Sequence, residues 1–595
     1  MAASILIPSP SFNTYRYPLC LLVFVLCTYM TSQVSLNLHS QHWHQSISRF
    51  SVSLKTHKSS LKLYMIPAIP IVARQFLLKP FAAVDSLEAH VSPDQNCAAS
   101  GVSSQNGFDR SKTLLDKASN SLDGMSDFER QLQELFNEVK TLIMTGNRSD
   151  ALDLLQANYE AVKEQINAGA KGIEEAAILD VIALGYMAVG ELKFVHPLLN
   201  LINEVIEDQK DDEPLLDSVL LHMGSMYSTL GEFEKSMLVN QRVTDILENR
   251  HGKNSIFLVT PLLGMTKVLS STGRTTKAVD IYHRVIKILE LSRGTESEDF
   301  VVPLVGLGNL LIKEGRATDA ENAFVRILNI YTKLYGENDG RVALAMCSLA
   351  HAKCAKGNAN EAIDLYKKAL QMIKDSSYMP SDDSLMENMR IDLAELLHAV
   401  GRGREGRELL EECLLITEKL KGKDHPSLVA HYLNLATSYS QSKDFVMAER
   451  LLRTSLEITK KAERPDNPSI TFPMLHLAVT LYHLERDEEA EQVALEALHI
   501  REKAFGKDSL PVGEALDCLV SIQTRLGKGE VELLEQLKRI LRIQEKELGY
   551  ENEEVMITLK KVVFYLDKLG KKDEKFPLQK RLSRLWMKYK QVVRY

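Results

Sequence analysis

The stretch Leu349-Ala-His-Ala-Lys-Cys-Ala-Lys-Gly-Asn-Ala-Asn-Glu-Ala-Ile-Asp-Leu-Tyr-Lys-Lys-Ala-Leu370 holds the pattern on which the fold turns. Ala350 lies seven residues before Gly357 and Ala362 five after it, with Leu349, Tyr366 and Leu370 at helical spacing around them. A glycine between two amphipathic segments permits a left-handed turn at no steric cost. A small side chain on each flank lets the two helices approach closely, and the large residues fill the gaps that remain. The stretch predicts an antiparallel helical hairpin.

Outward from Gly357 the same turn recurs at Gly146, Gly190, Gly231, Gly273, Gly315, Gly401, Lys443, Glu485, Gly527 and Gly570, at steps of 41 to 44 residues. The upstream small residue recurs at Ala183, Gly224, Thr266, Gly308, Ala394, Ala436 and Ala478, and the downstream one at Ala151, Ser236, Ala278, Ala320, Gly406, Ala448 and Ala490. Leu435, Tyr439 and Leu452 repeat the large set. A sustained beat of this length marks a repeat array, in which each hairpin buries its apolar surface only by stacking on the next. The expected fold class is all-α: an α-solenoid, a right-handed superhelix of about ten to eleven hairpins over residues 126–575.

Composition agrees. The chain has 595 residues, 45% hydrophobic and 25% charged, which excludes overall disorder, and only 2 Trp, 18 Pro and 30 Gly, which disfavours a turn-rich β protein. Net charge is -7, unevenly placed: residues 1–84 carry +7 with no acid, residues 560–595 carry +9, and the middle is left with -23. Seven scattered cysteines without a C-x-x-C pair read as free thiols of a reducing compartment.

Residues 1–84, rich in Ser and Thr and free of Asp and Glu, read as a transit peptide, the chloroplast before the mitochondrion because the first basic residue is Arg16. The apolar run Leu19–Met30 is too short for an ordinary membrane span, so a signal-peptide core is the rival reading. Residues 85–125 read as a flexible linker. Residues 576–595, with Lys580, Arg581, Arg584, Lys588, Lys590 and Arg594 and no acid, read as a basic capping helix, the place where membrane contact would be sought.

The hairpin positions resemble the tetratricopeptide signature. The unit of about 42 residues resembles the kinesin-light-chain type, most sharply at Gly422-Lys-Asp-His-Pro-Ser-Leu-Val-Ala-His-Tyr-Leu-Asn-Leu-Ala436, Leu456-Glu-Ile-Thr-Lys-Lys461 and Leu498-His-Ile-Arg-Glu-Lys-Ala-Phe-Gly-Lys-Asp508. That resemblance implies a non-catalytic scaffold for protein partners; because the fold serves many assemblies, it names none of them. The light chains' heptad coiled coil has no counterpart before the repeats, so motor binding is not implied. Members that clamp a chaperone C-terminus set Lys and Asn four apart on first helices; here the pairs read Leu221/Ser225, Leu263/Lys267, Val305/Asn309, Cys347/His351, Ile391/Glu395, Leu433/Thr437 and Leu475/Val479, and none matches.

No phosphate loop, zinc pair, EF-hand ladder or nucleophile elbow occurs, so no catalytic, metal or cofactor residue is assigned. His39, His42 and His44 around Trp43 fall in the leader. The first helices of such a superhelix line its inner surface, which makes Lys313, His351, Lys356, Glu395, His398, Gln441, Tyr482 and His483 the candidate partner groove, with Tyr482 the leading anchor. The expected partner is a protein or peptide segment. RNA is disfavoured by the acidic array. The expected setting is the chloroplast, with a cytosolic light-chain-like cargo or cytoskeletal adaptor as the alternative.

Overall fold

The computed structural model describes residues 124–462 and 467–592. The leader, its apolar run, the His39–His44 cluster, nearly all of the linker, and Cys20, Cys27 and Cys97 lie outside the described residues. Among the described residues there are α-helices and short 3-10 turns but no strand. Two compact units are formed, 124–356 and 357–592.

The first unit contains α1 (Gly124–Met144), α2 (Arg148–Asn167), α3 (Ile173–Val189), α4 (Leu192–Ile206), α5 (Leu216–Leu230), α6 (Phe233–His251), α7 (Val259–Ser271), α8 (Thr275–Arg293), α9 (Val301–Lys313), α10 (Ala317–Tyr335) and α11 (Gly340–Lys356). The second contains α12 (Ala359–Ser376), α13 (Ser384–Ala399), α14 (Gly403–Lys421), α15 (Leu428–Gln441), α16 (Phe445–Ala462), α17 (Thr471–His483), α18 (Asp487–Phe505), α19 (Leu510–Arg525), α20 (Glu530–Leu548), α21 (Glu553–Lys568) and α22 (Lys572–Val592). In each unit odd-numbered helices are the first of a hairpin and even-numbered ones the second. The array is an α-solenoid.

All eleven turn residues read from the sequence adopt left-handed backbone, with φ between 62° and 91°. The ten turns other than Gly357 are closed in the same way. The N–H of the residue after the turn donates to the carbonyl five residues back, as Glu191 to Tyr186 (2.9 Å), Arg402 to Leu397 (2.7 Å) and Arg486 to Leu481 (3.0 Å), the bond that ends a helix at a left-handed residue. Lys443 (φ 64°) and Glu485 (φ 62°) hold this conformation with a Cβ present. A left-handed residue other than glycine costs about 1–2 kcal/mol, and glycine returns about 0.5–1 of that as unfolded-chain entropy. Lys443→Gly and Glu485→Gly should therefore each raise stability by about 0.5–1 kcal/mol. Urea midpoints check this; a fall in either variant would show that its side chain contributes more than the turn loses.

The small flanking positions are sealed. Every Ala, Ser and Thr in the two series is at most 1% exposed. Within hairpin α13–α14 the backbones come close at Gly406, where a Cβ would fall 2.7 Å from the carbonyl oxygen of Ala394.

A second beat, not singled out in the sequence, joins one hairpin to the next. Gly252, Gly294, Gly336, Gly422 and Gly549 end second helices at positive φ. Three residues after each stands a side chain that accepts from the N–H two residues on: Ser255 from Phe257, Ser297 from Asp299, Asp339 from Arg341, His425 from Ser427 and Asn552 from Glu554. Such caps satisfy an otherwise orphaned helix N–H. An arginine from the following second helix then clamps the linker. Arg284 donates to Lys253 O and Glu248, Arg326 to Thr295 O and pairs with Glu290, Arg539 donates to Lys507 O and Glu502, and Arg581 to Tyr550 O and Glu545. In α14, α16 and α18 the corresponding positions are Glu412, Thr454 and Glu496, so this arginine is absent there; before α13 it is Arg390 that donates to Ser381 O, at 3.0 Å.

Residues 576–592 belong to α22, which starts at Lys572 after the Gly570 turn and is the second helix of the last described hairpin. Leu578, Leu582 and Leu585 seat it on the core around Val555, Leu559 and Val562.

Candidate partner-binding surface

First helices pack directly on the first helices of neighbouring hairpins: α3 on α5, α5 on α7 and α9 on α11 in the first unit, α15 on α17 and α17 on α19 in the second. Polar side-chain pairs also join first helices. Asp180 of α3 meets His222 of α5 at 2.5 Å with both side chains buried, and burial pushes the Asp180 carboxyl up from its ordinary range. Asp517 of α19 meets Lys561 of α21 at 2.5 Å. Neither pair was picked out from the sequence, although partners about one repeat apart were the available signal.

In the first unit the candidates Lys313, His351 and Lys356 lie on α9 and α11. Lys313 is exposed and His351 half-buried. Lys356 shares the carboxylate of Glu321 with Lys353, at 2.9 and 2.8 Å, and the two ammonium groups hold that carboxyl below its usual range. Its charge is already answered by the hairpin behind it.

In the second unit Glu395 and His398 lie on α13, Gln441 ends α15, and Tyr482 and His483 end α17. Most of the eight candidates thus stand in the last turn of a first helix, beside the hairpin turns; only His351 and Glu395 stand mid-helix. His398 is bonded to Ser438 of α15 at 2.8 Å, and its imidazole is held below the usual histidine range by burial and by the nearby Arg407 cation. Gln441 is exposed. His483 stacks on Phe445, with centroids 4.5 Å apart and planes 8° from parallel, and burial with the Arg525 charge lowers its pKa.

Tyr482, the expected anchor, is occupied. The Arg525 guanidinium lies 3.4 Å over its ring and donates to its carbonyl, while Asp487 accepts from Arg525 Nε at 2.7 Å. The ring also packs on the core built around Leu475, Leu481 and Leu519. Tyr482 therefore ties hairpin α17–α18 to α19, and the exposed candidates of the second unit are Gln441 and His483, with Glu395 half-buried.

Among the described residues no group of three or more His, Cys, Asp or Glu could hold a metal ion, and no helix is long and apolar enough to cross a membrane. The described cysteines are buried; burial pushes the thiols of Cys413 and Cys518 up to about 12, far from a reactive thiolate. His431, buried on α15, bonds to Thr417 at 3.0 Å as part of the packing between α14 and α15.

Comparison with known proteins places repeats on this geometry. A tetratricopeptide repeat model matches residues 300–375 and 385–461, and a second matches 474–510. The chain carries tetratricopeptide repeats. No curated protein matches it. Among solved structures it is similar to a kinesin-light-chain protein with nearly identical TPR-like repeats from Podosopora anserina (22% identity, 35% of this chain and 99% of that one, TM-score 0.32). It is also similar to BtubC from P. vanneervenii (18%, 39% and 91%, TM-score 0.33) and to the apo form of RapI (11%, 70% and 98%, TM-score 0.40).

Proposed function

We propose that the chain is a non-catalytic scaffold that holds a protein segment against its first helices. The observation that carries this is the repeated seating of first helix against first helix within each unit, with open polar ends such as Lys313, Gln441 and His483 beside a closed apolar core. Surfaces of this kind recognise extended or helical segments through a few anchors and several modest contacts. The residues such a segment would meet are Glu395, Gln441 and His483 in the second unit and Lys313 and His351 in the first.

Glu395→Lys with Gln441→Lys should reduce partner capture at least tenfold and leave helix content and melting at parental values. Lys367→Glu, on the second-helix side, should change capture less than twofold. Affinity capture with mass-spectrometric identification measures both, and undiminished recovery of the same partners by the double variant moves binding off these helices. Tyr482→Ala is a poorer test, because it also uncovers Arg525.

We further propose that this work takes place in the chloroplast, on the composition of residues 1–84. Those residues fused to a fluorescent protein should deliver it into plastids with cleavage before the first repeat. Diffuse cytosolic fluorescence would favour the cargo-adaptor reading.

A further inference from the structure

Two consecutive turns of the second unit, at Lys443 and Glu485, keep a left-handed backbone without glycine, with φ of 64° and 62°. Backbone strain of this kind is concentrated at ligand clamps and other functional positions. At the glycine turns on either side, Gly401 and Gly527, an added Cβ would meet no heavy atom within 4 Å. A side chain at the turn position therefore stands clear of its own hairpin. Lys443 and Glu485 are both exposed, and among the described residues neither forms an ion pair. Arg525 feels the Glu485 charge, but it is bonded to Asp487 and stacked on Tyr482.

A third departure adjoins these two. The third residue after the turn is polar in ten of the eleven hairpins, as at Arg404 and Glu488, and apolar only at Val446. Val446 is 66% exposed. Next to it in the chain, Phe445 stacks on the exposed ring of His483 and so carries the apolar surface from one turn to the following one. The edge formed by these two hairpin turns thus presents a cation, an apolar platform and an anion, at the one place where the turns give up glycine.

We propose that this turn edge binds an extended segment of another protein, with an acidic side chain for Lys443, a basic one for Glu485, and apolar side chains between them for Phe445, Val446 and His483. α15 and α17 are in direct contact, and packed helices lie about 8–10 Å apart. Extended chain rises about 3.3 Å per residue, so the acid and the base of the segment stand about three residues apart. Charge complementarity selects this segment over an all-acidic or all-basic one, because like charges brought together cost affinity. Glycine at both turns would relax the backbone and remove both charges, a trade of binding for stability. The inference goes beyond the first-helix reading, shares only His483 with it, and stands or falls without Glu395.

The test titrates the full chain into three fluorescein-labelled peptides and reads anisotropy. Their cores are Glu-Leu-Phe-Lys, Glu-Leu-Phe-Glu and Lys-Leu-Phe-Lys, each between glycine-serine flanks. The mixed peptide should bind at least fivefold more tightly than the other two. Lys443→Glu should turn the preference to the Lys-Lys peptide and Glu485→Lys to the Glu-Glu peptide. Val446→Ser should weaken the mixed peptide at least fivefold with unchanged melting. Lys443→Gly with Glu485→Gly should abolish discrimination among the three while melting no lower than the parent, so that lost binding is not lost folding. Glu395→Lys should leave all three within twofold. No binding of the mixed peptide, equal binding of the three, or a preference that the charge reversals do not move overturns the proposal. Loss of the mixed peptide in Glu395→Lys does so too, by seating the segment on the first helices, as does a concentration-dependent dimer that Val446→Ser dissociates, by assigning the edge to a second copy.

Discussion

Arg501→Met is expected to lower the stability of the second unit by about 3–5 kcal/mol, the cost of stranding one member of a buried ion pair. Arg501 is 1% exposed. Its Nε donates to Thr471 Oγ1 at 2.9 Å, and its Nη1 donates to Pro511 O at 2.6 Å and to Glu514 Oε2 at 2.9 Å. Glu514 Oε1 is buried with no partner, and burial pushes this carboxyl up to about 7 even with the guanidinium beside it. The sign of the pH dependence follows. A carboxyl whose folded pKa lies above its unfolded value favours the folded state fully below about 4.5 and loses that contribution as pH rises through about 7. The shift corresponds to about 3 kcal/mol between pH 8 and pH 4.5. Glu514→Gln should flatten this part of the profile, and Arg501→Met should cost more at pH 8 than at pH 5. Urea titrations of the three proteins at both pH values decide the matter; a loss under 1 kcal/mol at pH 8 would show that the pair is hydrated.

The second large effect is steric. Ala448 and Ala490 have no exposed surface, and both belong to the core that joins α15 to α19. Leu at either site adds three carbons where none fits, at about 1–3 kcal/mol per site. Gly406→Ala should also destabilise, by about 1–3 kcal/mol, because its Cβ would stand 2.7 Å from the Ala394 carbonyl oxygen. That inverts the usual rule: mid-helix glycine to alanine ordinarily gains about 0.5–1 kcal/mol. Parental melting of Ala448→Leu and Ala490→Leu, together with a stabilised Gly406→Ala, would mean that the hairpins are looser than the geometry shows.

The turns and the small flanking residues were legible because each obeys a local rule. A left-handed residue closes the first helix, and a missing side chain admits the second, once per repeat. The rule is strong enough that Lys443 and Glu485 could be placed at turns without being glycine. The capped linkers obey an equally local rule at Gly252 and Ser255, but their polar residues differ from repeat to repeat, which hides the beat. The candidate surface was less legible. Tyr482 and Arg525 are 43 residues apart, and whether an aromatic ring faces solvent or a neighbour's guanidinium depends on a contact between hairpins that no single repeat encodes. Asp180 with His222 and Arg501 with Glu514 stayed hidden for the same reason.

The arginine clamp has a consequence for how the second unit comes apart. In a quasi-one-dimensional array, stability is a sum of repeat terms and nearest-neighbour terms, so a weak interface is felt locally. Arg539 and Arg581 fasten the linkers before α19 and α21, whereas α14, α16 and α18 place Glu412, Thr454 and Glu496 where the fastening arginine would be. Cooperativity is therefore uneven along the unit. The amides of α14 to α16 are expected to exchange with solvent ahead of those of α19 to α22, which hydrogen exchange read by mass spectrometry checks.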